Sequence, residues 1–309
     1  MTGGANRDVK ILILGGGGML GHKMFQVLGH RFPDTWCTLR EPREDSPLGQ
    51  LPLFQAGRVL DGVDASNVEA LERVVRDVRP AVIVNCVGVI KQRSEAQSII
   101  GSITVNALLP HRLARVASEW NGRLIHFSTD CVFSGRKGQY READEPDPVD
   151  LYGRTKLLGE VAADNALTLR TSFIGRELRH GQSLLEWFLA QNHQKVGGYR
   201  RVWWSGTTSN HLAEVVGNLI GEGPPLAGLY HLSGVRLSKY DLLVKLRDGW
   251  GLDLEVEPSD TVVCDRSLDG SRFAQATGYR APSWDSLIAH LVSDPTPYDR
   301  WGSQHAHAR

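Results

Sequence analysis

Cysteine is scarce in this chain: Cys37, Cys86, Cys131 and Cys264 are the only four in 309 residues, and none forms a C-x-x-C pair. Three lie in or beside apolar runs, where cysteine acts as a small buried hydrophobe. That argues against a disulfide framework and fits a reducing, cytoplasmic compartment. Long apolar runs are also missing. None approaches the roughly 18 residues that cross a bilayer, and the opening MTGGANRDVK holds no secretory apolar core. There is no excess of charge of either sign. The 35 basic and 35 acidic residues cancel, so nothing draws the chain to nucleic acid or to an anionic membrane. The 11 histidines show neither H-x-x-x-H nor H-E-x-x-H spacing, and no metal site is expected. What is present is a globular balance of 41% hydrophobic and 23% charged residues, enough for one large domain or two ordinary ones.

Through the first half, short apolar runs alternate with longer amphipathic ones. VKILILG, TWCTLR, AVIVNCVGV, RLIHFST and ALTLRTSFIG read as strands. GMLGHKMFQVLGHRF, NVEALERVVRDV, ITVNALLPHRLARVASEW and LYGRTKLLGEVAADN read as helices. In the second of these, Val68, Leu71, Val74, Val75 and Val78 form one apolar stripe; in the third, Pro110 kinks or restarts the helix. Continuous apolar strands separated by helices imply a parallel sheet covered on both faces. This is the α/β, Rossmann-type doubly wound class, which binds ligands at the carboxyl ends of its strands. After about Phe173 the rhythm loosens. Residues 1–172 are expected to form a dinucleotide-binding domain. Residues 173–309 are expected to form mainly a smaller α/β substrate domain, with some segments packing back on the first.

The loop GGGGMLG leaves a strand and opens a helix, which is where a dinucleotide fingerprint belongs. Gly15, Gly18 and Gly21 let the backbone turn tightly and approach a pyrophosphate, with Met19 and Leu20 opening the helix that faces it. At the end of the second strand Arg40 favours a ribose 2′-phosphate, and therefore NADPH, while NADH stays open; an ordinary exposed charge is the plainer reading. Asp64, in VDASN, caps the next helix or also meets the adenine beside Ala65. Cys86, Val87 and Gly88 follow Asn85 at the end of the central strand, where small side chains let a cofactor lie across the strand tips.

Two further stretches carry chemistry. STDCVFSG puts hydroxyls at the same edge, and DLYGRTKLLGE places Tyr152 and Lys156 four residues apart on one helix face. A nearby ammonium favours phenolate and lowers the tyrosine pKa from about 10. The phenol can then protonate a carbonyl oxygen as hydride reaches the carbon, with Thr129 holding that oxygen. A surface Tyr–Lys pair is the plain alternative, which the glycine loop and STD segment, in that order, weigh against.

Together these residues resemble the extended short-chain dehydrogenase/reductase family. The stretch from Val105 to Glu160 resembles its dTDP-4-dehydrorhamnose reductase group, through a V-N-A helix, S-T-D-x-V-F-x-G and Y-G-x-[ST]-K-x-x-G-E. LRTSFIG, GTTSNHLAEVV, GLYHLSG and DRSLDGSRF follow in the group's order. The resemblance implies reduction of the 4-keto group of a nucleotide-linked 6-deoxyhexose, in service of polysaccharide or glycosylated-metabolite synthesis. Tyr152 is then the proton donor, Lys156 its partner and ribose ligand, Thr129 and Asp130 substrate contacts, and Asn106 of the V-N-A helix a cofactor neighbour. Two positions depart from the pattern. Cys131 stands where the group has Tyr, and Phe173 where it has Trp, so the sugar pocket loses a phenol and an indole N–H. A UDP-linked 2-acetamido-2,6-dideoxy-hexulose is therefore a candidate beside the dTDP sugar. Late residues, Arg200, Arg201, Trp203, Trp204, Arg266 and Arg272, are candidate cleft residues with an equally good reading as core and surface. A homodimer is allowed, and no acidic set for a divalent cation is evident. Two rival functions are epimerisation or dehydration on the same scaffold, and a cofactor-binding regulatory subunit like that of methionine adenosyltransferase, which resembles the same group.

Overall fold

A computed structural model of the chain describes residues 8–89, 98–179, 181 and 183–301. Residues 1–7, where a leader was sought, lie outside it. The first six strands are β1 (Ile11–Leu14), β2 (Thr35–Thr38), β3 (Arg58–Leu60), β4 (Val82–Asn85), β5 (Arg123–Thr129) and β6 (Ala166–Thr171). Between them run helices α1 (Met19–Arg31), α2 (Pro52–Gln55), α3 (Val68–Val78), α4 (Ile99–Ser102), α5 (Leu109–Ser118) and α6 (Leu151–Leu158). The second half adds the short strands β7 (Phe173–Ile174), β8 (Lys195–Tyr199), β9 (Val202–Trp204) and β10 (Thr207–Thr208). β11 (Gly228–His231), β12 (Leu237–Ser238), β13 (Glu255–Ser259) and β14 (Cys264–Asp265) follow. Its helices are α7 (Leu184–Leu189), α8 (Ser209–Gly221), α9 (Lys239–Trp250), α10 (Ser271–Thr277) and α11 (Trp284–Val292).

The central sheet is parallel throughout, in the order β11-β6-β5-β4-β1-β2-β3. Alternation along each strand sorts its side chains between two cores. Ile11, Ile13, Val84, Ile125 and Leu167 face one side, with Met24 and Leu28 of α1 and Leu212 and Val216 of α8. Leu12, Leu14, Ile83, Leu124 and Ala166 face the other, with Leu71 and Val75 of α3 and Leu113 and Val116 of α5. Each such aliphatic side chain, fully buried, contributes roughly 2 kcal/mol against exposure. A third core joins α9 and α11 around Trp204, Leu242, Leu246, Trp284 and Ile288. The second half is thus divided. β11 completes the sheet and α8 covers it, while α9 and α11 pack on each other.

Two elements differ from the sequence reading, and a third restarts at Pro110 as expected. The helix expected through Asn165 stops at Leu158 and is capped by Gly159, which sits so close to the Asn106 carbonyl that a Cβ there would collide with it. That carbonyl stands four residues before Pro110, which has no N–H to offer it. The restart at Pro110 takes the form of α4, a π-helical stretch Ile103–Leu108, and α5 with the proline in its first turn. ALTLRTSFIG breaks at Ser172, and Phe173–Ile174 pairs with β10 instead of prolonging β6.

Candidate active site

The strand order reverses between β1 and β4, and this switch point is where an open α/β sheet leaves a crevice. Gly15 ends β1 with φ of +80°, a conformation that only glycine adopts without strain. Its N–H donates to Thr38 Oγ1 at 3.0 Å, and Gly16 N–H donates to the Thr38 carbonyl at 2.8 Å, which ties the loop to β2. A Cβ on Gly21 would strike the Gly15 carbonyl, so glycine there lets α1 start against the loop. Gly18 caps α1 without a side-chain hydrogen bond, and no acid lies in the first turn. The amide-rich helix start is therefore open to an anion.

Gly15, Gly17, Gly18, Arg40, Asp64, Ala65, Cys86, Val87 and Gly88 line one cleft over these strand tips. Met19, Leu20 and Gly21 form the helix start beside it. Asp64 does not cap α3. That place belongs to Asn67, whose side chain accepts from Ala70 N–H at 3.1 Å, three residues nearer the helix. Asp64 instead accepts from Ser66 N–H and pairs with Arg40 at 3.4 Å. Asn106 braces the cleft from behind: its amide exchanges hydrogen bonds with both backbone groups of Val89 (2.9 and 3.0 Å) and donates to Thr155.

The second cluster lies where β5 meets α6. Asp150 caps α6 by accepting from Gly153 N–H at 2.8 Å, and Gly153 packs directly on the Cys131 carbonyl. At the far end, Glu160 takes a bidentate pair from Arg170 (2.7 Å each) and a hydrogen bond from Ser128 at 2.6 Å. The helix is thereby tied at its start to the turn after β5 and, just past its end, to β5 and β6. The Thr129 hydroxyl lies beside the Tyr152 side chain and acts to lower the pKa of its phenol. Lys156, nearly buried, donates to the Phe127 carbonyl at 2.6 Å.

The tyrosine pKa is not lowered, contrary to expectation. Burial first, then the neighbouring Cys131, Asp130 and Asp150 groups, push the phenol above its ordinary value, against the Thr129 hydrogen bond. Lys156 spends its ammonium on a backbone carbonyl, and its own burial pulls its pKa down to about 8.

Behind the lysine lies a set of residues that spacing does not reveal. Asn85 Oδ1 accepts from Val87 N–H, so its Nδ2 must donate to His126 Nδ1 at 3.1 Å. The proton of the neutral ring then sits on Nε2, which faces Lys156 Nζ at 3.4 Å. Burial pushes His126 well below its usual pKa, so the ring stays neutral. Asn85 and His126 are paired neighbours on adjacent strands, 41 residues apart in the chain, which is why local patterns miss them.

On the outer side, Asp130 is buried and its pKa raised by that burial, against the cations Lys239 and Arg266. Arg266 donates to the Phe133 carbonyl and reaches Cys131 Sγ at 4.0 Å. Lys239 lies over the Trp204 ring at 4.2 Å. Thr171, the neighbour of Thr129 across the sheet, and Thr207, opposite Phe173, each hold a buried hydroxyl without a protein partner among the described residues, as does the Trp204 indole N–H. Of the other late candidates, Arg200 pairs with Asp260 and Arg272 sits over Tyr230, both outside this cluster. Trp203 stacks under Arg236 at 3.9 Å.

This layout can be set against known proteins. The sequence pattern of the RmlD substrate binding domain matches residues 9–294. The chain belongs to the RmlD substrate-binding domain family. The dTDP-4-dehydrorhamnose reductase of Escherichia coli (strain K12) is 30% identical over 198 residues, 60% of this chain and 65% of that protein. The chain thus matches less than two thirds of that relative's length. Methionine adenosyltransferase 2 subunit beta of Pongo abelii is 28% identical over 266 residues, 79% of this chain and 72% of that one. The crystal structure of dTDP-4-dehydrorhamnose reductase from Bacillus anthracis str. Ames in complex with NADP shares the fold. Its TM-score is 0.73 at 19% identity, over 92% of this chain and 98% of the other. Within the RmlD substrate-binding domain family, then, this chain has a cleft over the strand tips and a Thr–Tyr–Lys cluster with Cys131 beside it, while Phe173 packs against the core of the main sheet. No helix among the described residues is long and apolar enough to cross a membrane, and no group of metal-ligating side chains is found among them.

Proposed function

We propose that the protein is a reductase that uses a nicotinamide cofactor, NADPH by preference, to reduce the 4-keto group of a nucleotide-diphospho-6-deoxyhexose. The observation that carries this reading is the placement of the Thr129 hydroxyl beside Tyr152 on the carboxyl edge, with Lys156 one helical turn behind. The open helix start at Gly18 and the close approach of Gly21 to Gly15 fit a pyrophosphate, and Arg40 beside Asp64 and Ala65 fits the adenosine end. A bound reduced nicotinamide supplies hydride to the carbonyl carbon.

The chain's own residues handle the oxygen. Thr129 hydrogen-bonds it and the Tyr152 hydroxyl gives it a proton, leaving a phenolate. Lys156 returns a proton to that phenolate. Its depressed pKa and the neutral His126 behind it favour release of the ammonium proton at this step. Burial keeps the Tyr152 phenol protonated at neutral pH, as a general acid must be. Lys239 and Arg266 offer charge to the diphosphate, and Thr171, Thr207 and Trp204 offer buried polar atoms to the sugar. Cys131 and Phe173 make the 2-substituent and the nucleotide base the open variables, with dTDP and UDP sugars as the two candidates.

The test is to mix the protein with NADPH and dTDP- or UDP-linked 4-keto-6-deoxyhexoses and follow loss of reduced-cofactor absorbance. Turnover is expected with at least one, and Tyr152→Phe should bind NADPH normally while slowing turnover at least about a hundredfold. The longer match to methionine adenosyltransferase 2 subunit beta favours a second reading, a cofactor-binding regulatory subunit. Tight cofactor binding without turnover of any such sugar would support that one.

A further inference from the structure

The cleft's adenosine end contains an acid that the cofactor reading leaves unexplained. Glu41 follows Arg40 just beyond β2 and lines the cleft with Arg40, Ser46 and Asp64. A carboxylate near this position suits a free ribose 2′-hydroxyl and repels a 2′-phosphate. The same cleft receives one side chain from far along the chain, Arg179, in the segment after β7. Its Nη1 donates to both Glu41 oxygens, at 3.0 and 3.3 Å. The Arg179 side chain is about a quarter exposed and that of Glu41 nearly half, so this pair sits at the partly solvated rim of the cleft.

Glu41 is fixed from its other side by the Ser46 hydroxyl, itself on a buried residue. Ser46 and Arg179 hold the Glu41 carboxyl below its usual pKa, so it carries a full charge at neutral pH. Arg40 is paired with Asp64 at 3.4 Å. The four charged groups at this end therefore balance, two cations against two anions. Removing Arg179 would leave the end net negative where a phosphate must enter.

We propose that Arg179 determines cofactor specificity: by neutralising Glu41 it makes the adenosine end of the cleft acceptable to a 2′-phosphate. The inference rests on the nicotinamide-cofactor reading above. It also makes a segment of the second half part of the cofactor site, which the glycine fingerprint alone would confine to the first.

The experiment is a binding titration of NADPH and NADH, followed by tryptophan fluorescence or calorimetry. It compares the wild type, Arg179→Gln, Glu41→Gln and the double variant, with no sugar substrate. Uncovering one charge several ångströms from the phosphate at a partly solvated site predicts that Arg179→Gln weakens NADPH about tenfold. NADH affinity should change less than about threefold, which also reports that the variant is folded. Glu41→Gln alone should leave NADPH binding no weaker and up to about tenfold tighter, and adding it to Arg179→Gln should restore most of the loss. Equal weakening of both cofactors, or none, would overturn the proposal. So would an NADPH loss that Glu41→Gln fails to rescue, since that assigns Arg179 to direct phosphate contact. Wild-type protein that binds neither cofactor would sink the underlying cofactor reading, a result that the variants cannot mimic.

Discussion

At the scale of single residues, Lys156 carries the most informative conflict. A lysine this buried is strained as a cation, and its pKa of about 8 expresses that strain. Between about pH 8 and the ordinary lysine value of 10.5, the unfolded chain holds a proton that the folded one has released. Stability therefore rises with pH across this window, and the penalty is fully present below pH 8. Lys156→Met removes the charge. Its unfolding free energy relative to wild type should drop by on the order of 2 kcal/mol between pH 7 and 10, measured by urea denaturation at both pH values. Parallel pH profiles for the two proteins would count against a strained lysine. The Tyr152–Lys156–Thr129 set was readable from the sequence because it rests on local spacing and chain order. His126 and Asn85 were not, because only sheet register brings them together. The sense of the tyrosine shift follows first from burial of the phenol, which spacing does not show either. Helical spacing places Lys156 near Tyr152 but cannot show that Phe127 accepts its hydrogen bond.

At the scale of elements, α1 joins the glycine loop to the end of the described chain. His22 Nδ1 must donate to the Gly18 carbonyl, which only accepts, so Nε2 accepts from the Tyr298 hydroxyl at 2.9 Å. Next to it Lys23 pairs with Asp294 at 2.5 Å, both nearly inaccessible, and Asn210 of α8 also donates to Asp294. Burial lowers the His22 pKa to about 4 from 6.5. A depressed histidine contributes stability that is intact above pH 6.5 and is lost as pH falls toward 4, because the unfolded chain protonates first. His126 and His231 shift in the same direction and steepen the loss. His22→Gln should flatten the acid limb by on the order of 2 kcal/mol between pH 7 and 4, read from denaturant unfolding across that range. An unchanged limb would place the acid sensitivity elsewhere. Strands and long helices of the first half were legible from apolar periodicity. The stop at Gly159 and the π-helical turn before Pro110 were not, since the close packing of Gly159 on the Asn106 carbonyl joins segments about 50 residues apart, which local periodicity does not show.

At the scale of the whole molecule, the boundary expected at Phe173 cuts through a shared core. β11 supplies the strand beside β6, and Leu212, Val215, Val216 and Leu219 of α8 pack in one cluster with Met24, Phe25 and Leu28. We therefore expect a fragment of residues 1–172 to leave β6 as a bare edge and α1 uncovered. It should bind the dye ANS and show no cooperative unfolding; a monomeric fragment with a sharp transition would show that the first half is autonomous. The separate core of α9 and α11 is the part that fits a substrate domain, and it brings Lys239 and Trp204 toward Asp130. The central claim is that these parts assemble a ketoreductase. It is tested most directly with NADPH deuterated at the transferable position and a nucleotide-linked 4-keto-6-deoxyhexose, with the product analysed by mass spectrometry and NMR. One deuterium on C4 of the sugar, matched by one equivalent of oxidised cofactor, is the predicted result. An isomerised or dehydrated product without net cofactor oxidation, or no product from folded, cofactor-binding protein, would contradict it.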